Sequence, residues 1–305
     1  MADVFLNVIL PTFLVAGIAA ALQRWKKISV MALSQTTLYL LTPALLFTSI
    51  LGQRLPAETS VRLAVATVAV TLLVLALARF LSRLLRHDRP MQSAFQLATA
   101  FPNSGNMGLP VLLLGFGQKG LDMGIIVFLT QSLLGQSLGI FVAARGGMVS
   151  RAAFGQVFRI PSLYAVAAAV AIRLADITLP ALIAKPIAML SQAAIPVMLV
   201  VLGFQMGAEI QVERPGSLFT AVSVRLLASG GIAYGVGALM GLHGLPLAVL
   251  VVIYSMPAMV YSIVLATEFG VDPRFVANAV IASTVCSMLT LTGLIAYLKR
   301  YVVGG

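Results

Sequence analysis

The sequence predicts an all-α polytopic membrane protein: ten transmembrane helices in two inverted repeats of five, with broken crossing helices four and nine. Three observations carry that expectation. Of the 305 residues, 60% are hydrophobic and 10% charged, and the mean hydropathy is +1.03, whereas ordinary soluble domains carry roughly 25% charge. At about 20 apolar residues per crossing, such a chain holds roughly ten helices joined by short loops. Two apolar spans in corresponding places of the two halves are interrupted by proline and small or polar residues.

The first span runs from about Val4 to Leu22 and ends at Arg24, Lys26 and Lys27, with Trp25 as an interfacial aromatic. The chain opens Met-Ala-Asp without a basic leader region, so this span is expected to be retained. The second covers about Val30 to Leu51 and carries Thr42-Pro43, a kink signal. The third, about Val61 to Leu77, leads into Arg79, Arg83, Arg86 and Arg89. The fourth, about Met91 to Phe116, contains FPNSGNMGLP at residues 101–110, and the fifth, about Gly120 to Ala144, contains Gln131, Ser132, Gln136 and Ser137. Residues 1–144 thus form the first repeat, 145–159 a short cytoplasmic linker and 160–305 the second repeat. Span six, about Ile160 to Leu179, is the weakest, because Arg173 and Asp176 interrupt its end. Span seven (Pro186 to Ala208) carries Pro196, span eight (Gly216 to Leu242) Arg225 and span nine (Leu245 to Thr267) Pro257. Span ten (Phe275 to Leu298) holds Asn278, Ser283, Thr284 and Cys286.

The formal net charge of +11 does not point to nucleic acid, since Lys and Arg cluster between apolar spans. The odd connections carry most of them, which makes those loops cytoplasmic and puts both termini on the non-cytoplasmic side. An integral protein of the plasma (inner) membrane is expected. The single cysteine, Cys286, allows no intrachain disulfide, and no metal cluster or cofactor is indicated.

Pro43 and Pro196 lie 153 positions apart, and Pro102 and Pro257 lie 155 apart. Gly115-Phe116-Gly117 followed by Asp122 rhymes with Glu268-Phe269-Gly270 followed by Asp272. Five crossings per half is an odd number, so the second half enters the bilayer from the opposite side and the repeat is inverted. Pro102, Gly105, Gly108 and Pro110 oppose a continuous helix, while Asn103, Ser104 and Asn106 add polar groups at membrane depth. A break of this kind is tolerated only where protein or a water-filled cavity satisfies the freed backbone. Half-helix N-termini meeting there would favour an anion without any formally charged residue. The competing reading, that these prolines merely kink helices, weighs equally for Pro257 alone.

Asn103-Ser104-Gly105-Asn106-Met107-Gly108-Leu109-Pro110 resembles the N-x-G-N-x-G-x-P signature of bacterial auxin efflux carrier (PIN-like) transporters. Leu41-Thr42-Pro43-Ala44-Leu45-Leu46-Phe47 and the stretch from Met256-Pro257-Ala258 to Phe269-Gly270 are also similar to that family. More distantly, the architecture is similar to that of bile acid:sodium symporters. The resemblance implies a small organic anion as substrate, an efflux carrier working by alternating access, and Asn103, Gly105, Asn106, Pro110 and Pro257 at the site. It also implies a scaffold of spans one, two, six and seven, past which spans three to five and eight to ten move in an elevator-like displacement. The second break, Pro-Ala-Met-Val-Tyr-Ser, departs from the family by lacking the acidic and amide groups of a well-formed sodium site.

Gln131, Gln136, Tyr261 and Asn278 are candidates for hydrogen bonding a carboxylate; their alternative role is helix–helix bonding. Five residues is nearly one and a half turns, so Gln131 and Gln136 do not share a face. Arg225 lies about 14 Å into its span and either faces the site or snorkels to the interface. Glu209 and Glu268 fall about 20 and 16 Å beyond Pro196 and Pro257, near membrane edges, so no carboxylate is poised at mid-membrane as a proton relay. An intramembrane enzyme would need a nucleophile and base, paired carboxylates or a metal cluster, and the sequence offers none. A sodium-coupled symporter and an anion channel stay open as alternatives, as does a homodimer.

Overall fold

The computed structural model describes residues 1–28, 30–52, 55–147, 161–206 and 214–304. All regular structure among them is helical: α1 (Ala2–Lys26), α2 (Val30–Gly52), α3 (Ala57–Leu84), α4 (Arg89–Ala100), α5 (Ser104–Gly146), α6 (Pro161–Leu174), α7 (Ala181–Met206), α8 (Pro215–Leu239), α9 (Gly244–Tyr254), α10 (Tyr261–Phe269) and α11 (Pro273–Val303). Seven of these, α1, α2, α3, α5, α7, α8 and α11, are long and apolar enough to cross a membrane; α6 and α9 are shorter apolar helices. Helical backbone satisfies each segment's own N–H and C=O groups where no water can, one of the two solutions open to a chain in lipid.

The expected fourth span is divided into α4 and the start of α5, and the expected ninth into α9 and α10. The fourth and fifth spans meet inside α5 at Gly117, whose φ of 66° and ψ of −162° belong to neither helix. That conformation is open essentially to glycine alone. Pro186 and Pro196 both lie inside a continuous α7. Pro43 likewise lies inside α2, after a widened i→i+5 turn over Thr37–Leu41. Asp88 and Asp272 cap α4 and α11, accepting from the N–H groups of Met91 and Phe275. The expected linker at 145–159 and Glu209 fall largely or wholly outside the described residues.

Helices α1, α2, α6 and α7 pack on one another, and α3, α4, α5, α8, α9, α10 and α11 form a second packed set. The main apolar core runs through the second set and takes in Val8, Ile9 and Phe13 of α1. A smaller cluster joins the sets: Leu41, Leu45 and Leu46 of α2 and Ala194 and Met198 of α7 pack against Leu109, Leu121 and Ile125 of α5. Outward faces such as Leu14, Ile18, Val65, Leu72 and Phe80 are exposed, as a lipid-facing surface requires.

Candidate functional site

Helix α4 stops where Phe101 turns to extended geometry before Pro102, and α9 stops at Ser255, two residues before Pro257. A proline cannot donate to a helical ladder, and it disfavours helical geometry in its predecessor. The two breaks then satisfy each other. Asn103 N–H donates to the Pro257 carbonyl at 2.7 Å, and Met259 N–H donates to the Phe101 carbonyl at 2.8 Å. This is an antiparallel bridge with Pro102 opposite Ala258, the only β-type pairing among the described residues. Its register relates positions 156 apart, so the two prolines, 155 apart, are offset by one residue.

Other freed groups are also matched. Ala258 N–H donates to Ser283 Oγ at 3.0 Å, and Ser262 Oγ donates to the Leu97 carbonyl at 3.0 Å. Ser255 N–H donates to the carbonyls of Val251 and Val252. One carbonyl in the last turn of each half-helix is met by the same side chain. Arg225, on a widened turn of α8 (Val224–Ala228), donates through Nη1 to the Thr99 carbonyl at 2.7 Å and through Nη2 to the Tyr254 carbonyl at 2.5 Å. It is 0% exposed, so the snorkelling alternative is corrected: depth along a helix does not fix azimuth, and this residue points into the protein. Isolating a guanidinium from water costs several kcal/mol. Two half-helix C-termini of about −0.5 charge each supply about one compensating negative charge.

Tyr254 extends this cluster. Its hydroxyl donates to the Thr67 carbonyl at 2.6 Å, lies 2.7 Å from Thr71 Oγ and accepts from Gln131 Nε2. Gln131 also donates to Thr71 Oγ at 3.1 Å. Gln131 therefore ties α5 to α3 and α9, while Gln136, partly exposed on another face, makes no hydrogen bond to the cluster.

The N-terminal side of the break is arranged differently. The first intrahelical bond of α5 runs from Gly108 N–H to the Asn103 carbonyl at 3.1 Å, so the N–H groups of Gly105, Asn106 and Met107 have no carbonyl to reach within the helix. Asn103 is 4% exposed and its Nδ2 has no hydrogen-bond partner. Gly105 and Asn106 are partly accessible, whereas Pro102, Gly108 and Pro110 are buried. Gly108 has a packing reason, since a Cβ there would lie 2.7 Å from Ile253 Cδ1 of α9. The Ser104–Gly108 turn contacts α7, which brings this N-terminus to the boundary between the two packed sets. Tyr261 is half-buried at the start of α10, and Asn278 is buried on α11. Pro257 is within the bridge.

Thr67, Thr71, Thr99 and Tyr254 are not legible as site residues in the sequence, where Ser283 stands only as part of the polar content of span ten. Only Tyr254 carried a local signal, an aromatic hydroxyl three residues before Pro257 in an otherwise apolar run.

Apolar helices long enough to span a bilayer and buried backbone breaks satisfied by protein define an integral membrane protein with discontinuous helices. The chain belongs to the membrane transport protein family, the auxin efflux carrier-like family, whose model matches residues 4–156 and 147–295. It is 32% identical over 197 residues, 64% of this chain, to an uncharacterized transporter of Methanothermobacter thermautotrophicus. It is 26% identical over 199 residues, again 64% of the chain, to an uncharacterized transporter of Methanocaldococcus jannaschii. The matches span 64% and 65% of those relatives' lengths, just under two thirds.

Proposed function

We propose that the protein is a secondary carrier of a small organic anion, such as an auxin-like compound or a mono- or dicarboxylate, which binds at the paired breaks and moves by alternating access. Export is the direction that the family analogy favours. One observation carries the reading: Arg225 neutralises the C-terminal ends of both half-helices, while the N-terminal turn of α5 and Asn103 Nδ2 keep unmatched donors. The site is thereby biased toward negative charge at the N-terminal side. In this reading the chain is ten crossings in two inverted repeats, and the bridge at Pro102 and Ala258 lies on their pseudo-two-fold axis. Helices α1, α2, α6 and α7 are the scaffold. The other set is the transport domain, sliding along the apolar seam of α2, α5 and α7.

The test is flux into proteoliposomes, using anions selected by thermal shift, under imposed pH, sodium or voltage gradients. Saturable anion flux that Asn103→Ala combined with Asn106→Ala reduces at least about tenfold, with folding intact, supports the proposal. Intact flux in that variant removes the breaks from the substrate path. High-conductance single-channel currents replace the carrier with a channel, and strict dependence on a sodium gradient replaces it with the symporter alternative.

A further inference from the structure

An open cavity of about 450 Å³ lies where the end of α3, the first turns of α4 and the end of α5 meet, with Arg83, Arg89 and Arg145 exposed at its mouth and Arg79 half-buried. Arg79 and Arg83 of α3, Arg89 of α4 and Arg145 of α5 line it, together with Gln92, Ser93 and Gln96. No carboxylate lines it, and none of the four arginines forms an ion pair among the described residues. The nearest acid in sequence, Asp88, is used as the cap of α4.

The grouping is held together against its own repulsion. Arg79 and Arg83 are four apart on one helix, a like-charge spacing that destabilises. Arg89 stands in the first turn of α4, where the dipole already disfavours a cation. The end of α5 is tied to α4, since Ser93 Oγ donates to the Val142 carbonyl at 2.7 Å, and Gly146 allows the close approach, because a Cβ there would lie 2.4 Å from Ser93 Oγ and 2.8 Å from the Arg89 carbonyl. Topology alone asks only for basic residues near the membrane edge, not for four guanidinium groups from three helices around one cavity with amide and hydroxyl lining. A single carboxylate is matched by one guanidinium, whereas four call for a ligand of several negative charges and many acceptor oxygens.

We propose that this cavity binds a phosphate-bearing anion, either the headgroup of an anionic lipid at the membrane edge or a soluble phosphate compound. The volume accommodates a diphosphate and part of its carrier. The inference does not rest on the transport reading, because the cavity is built from α3, α4 and α5 alone and needs no flux to be tested.

The experiment uses the full chain in phosphatidylcholine nanodiscs. One arm titrates pyrophosphate; the other adds phosphatidylglycerol or cardiolipin and counts retained lipid by native mass spectrometry. Saturable binding in either arm, weakened about tenfold by Arg83→Gln with Arg145→Gln and unchanged by Arg24→Gln with Lys26→Gln, supports the site, and the binding arm identifies the source. No saturable binding in either arm, or equal losses in both variants, overturns it. Should the first variant not fold, arginine labelling of the unmodified protein by phenylglyoxal decides. Bound anion must shield Arg79, Arg83, Arg89 and Arg145 several-fold more than Arg24, and equal labelling overturns the site.

Discussion

Arg225 and Tyr254, 29 residues apart in sequence, meet through a hydrogen bond of 2.5 Å between a buried guanidinium and the last carbonyl of a half-helix. The same guanidinium holds the Thr99 carbonyl of the other half-helix. One side chain from α8 thus closes the C-terminal ends of both breaks, which is why a full positive charge sits at 0% exposure.

Replacing it tests that assignment. Arg225→Met leaves two buried carbonyls unmatched and is expected to destabilise the protein by about 2–4 kcal/mol. Arg225→Lys retains the charge but not the fork, so it should recover part of that loss. Denaturant titration in detergent micelles reads both; equal stability of all three proteins would contradict the role.

Tyr254→Phe removes a hydroxyl shared by Thr67, Thr71 and Gln131. Interhelical bonds of this kind contribute about 0.6–2 kcal/mol in membranes. Combined with Gln131→Leu, the loss should be clearly less than the sum of the single losses, because the two side chains share one interaction. Strict additivity would show that they act independently.

Close packing at the break makes a steric prediction. Gly108→Ala brings a methyl within 2.7 Å of Ile253 Cδ1 and should destabilise by about 1–3 kcal/mol. Ile253→Ala removes the fully buried partner at its own cost of about 2–5 kcal/mol, and in that background Gly108→Ala should add little or no further loss. A neutral Gly108→Ala in the unmodified chain, or equal losses from it in both backgrounds, would refute this contact.

His87 supplies a pH dependence. Its ring nitrogens face Ser82 at 3.0 Å and Ser217 at 2.8 Å, joining the α3–α4 connection to the start of α8. Burial, and secondarily the nearby positive charge of Arg214, holds the imidazole below its ordinary pKa, with Asp88 opposing. Both folded and unfolded forms are neutral above about pH 6.5, so the contribution is complete there. As pH falls through the unfolded value the unfolded chain binds the proton first, and native stability declines until the lower folded pKa is passed. Melting temperatures of the protein minus those of His87→Gln should therefore fall from about pH 7 to pH 5. A difference independent of pH would show that His87 is not held neutral.

The residues at 101–110 announce a break because proline, glycine and asparagine act on their own few neighbours. The partner of that break was also visible at Pro257, but the one-residue offset that sets Pro102 opposite Ala258 was not. Nor could spacing separate the fates of Gln131 and Gln136. Both are amides in one apolar span, and only the rotation of α5 against α3 and α9 buries the first and leaves the second partly exposed.

By itself, then, the sequence determined the membrane class, the two breaks at Pro102 and Pro257 and the polar content of the first of them. Each of these follows from local apolar length, backbone geometry and the cost of unsatisfied peptide groups in lipid. Tertiary structure alone decided the register in which the breaks pair, that Arg225 turns inward to serve both half-helices and that Tyr254 and Gln131 join it. Those outcomes depend on which helix faces pack together, so no window of neighbouring residues contains them.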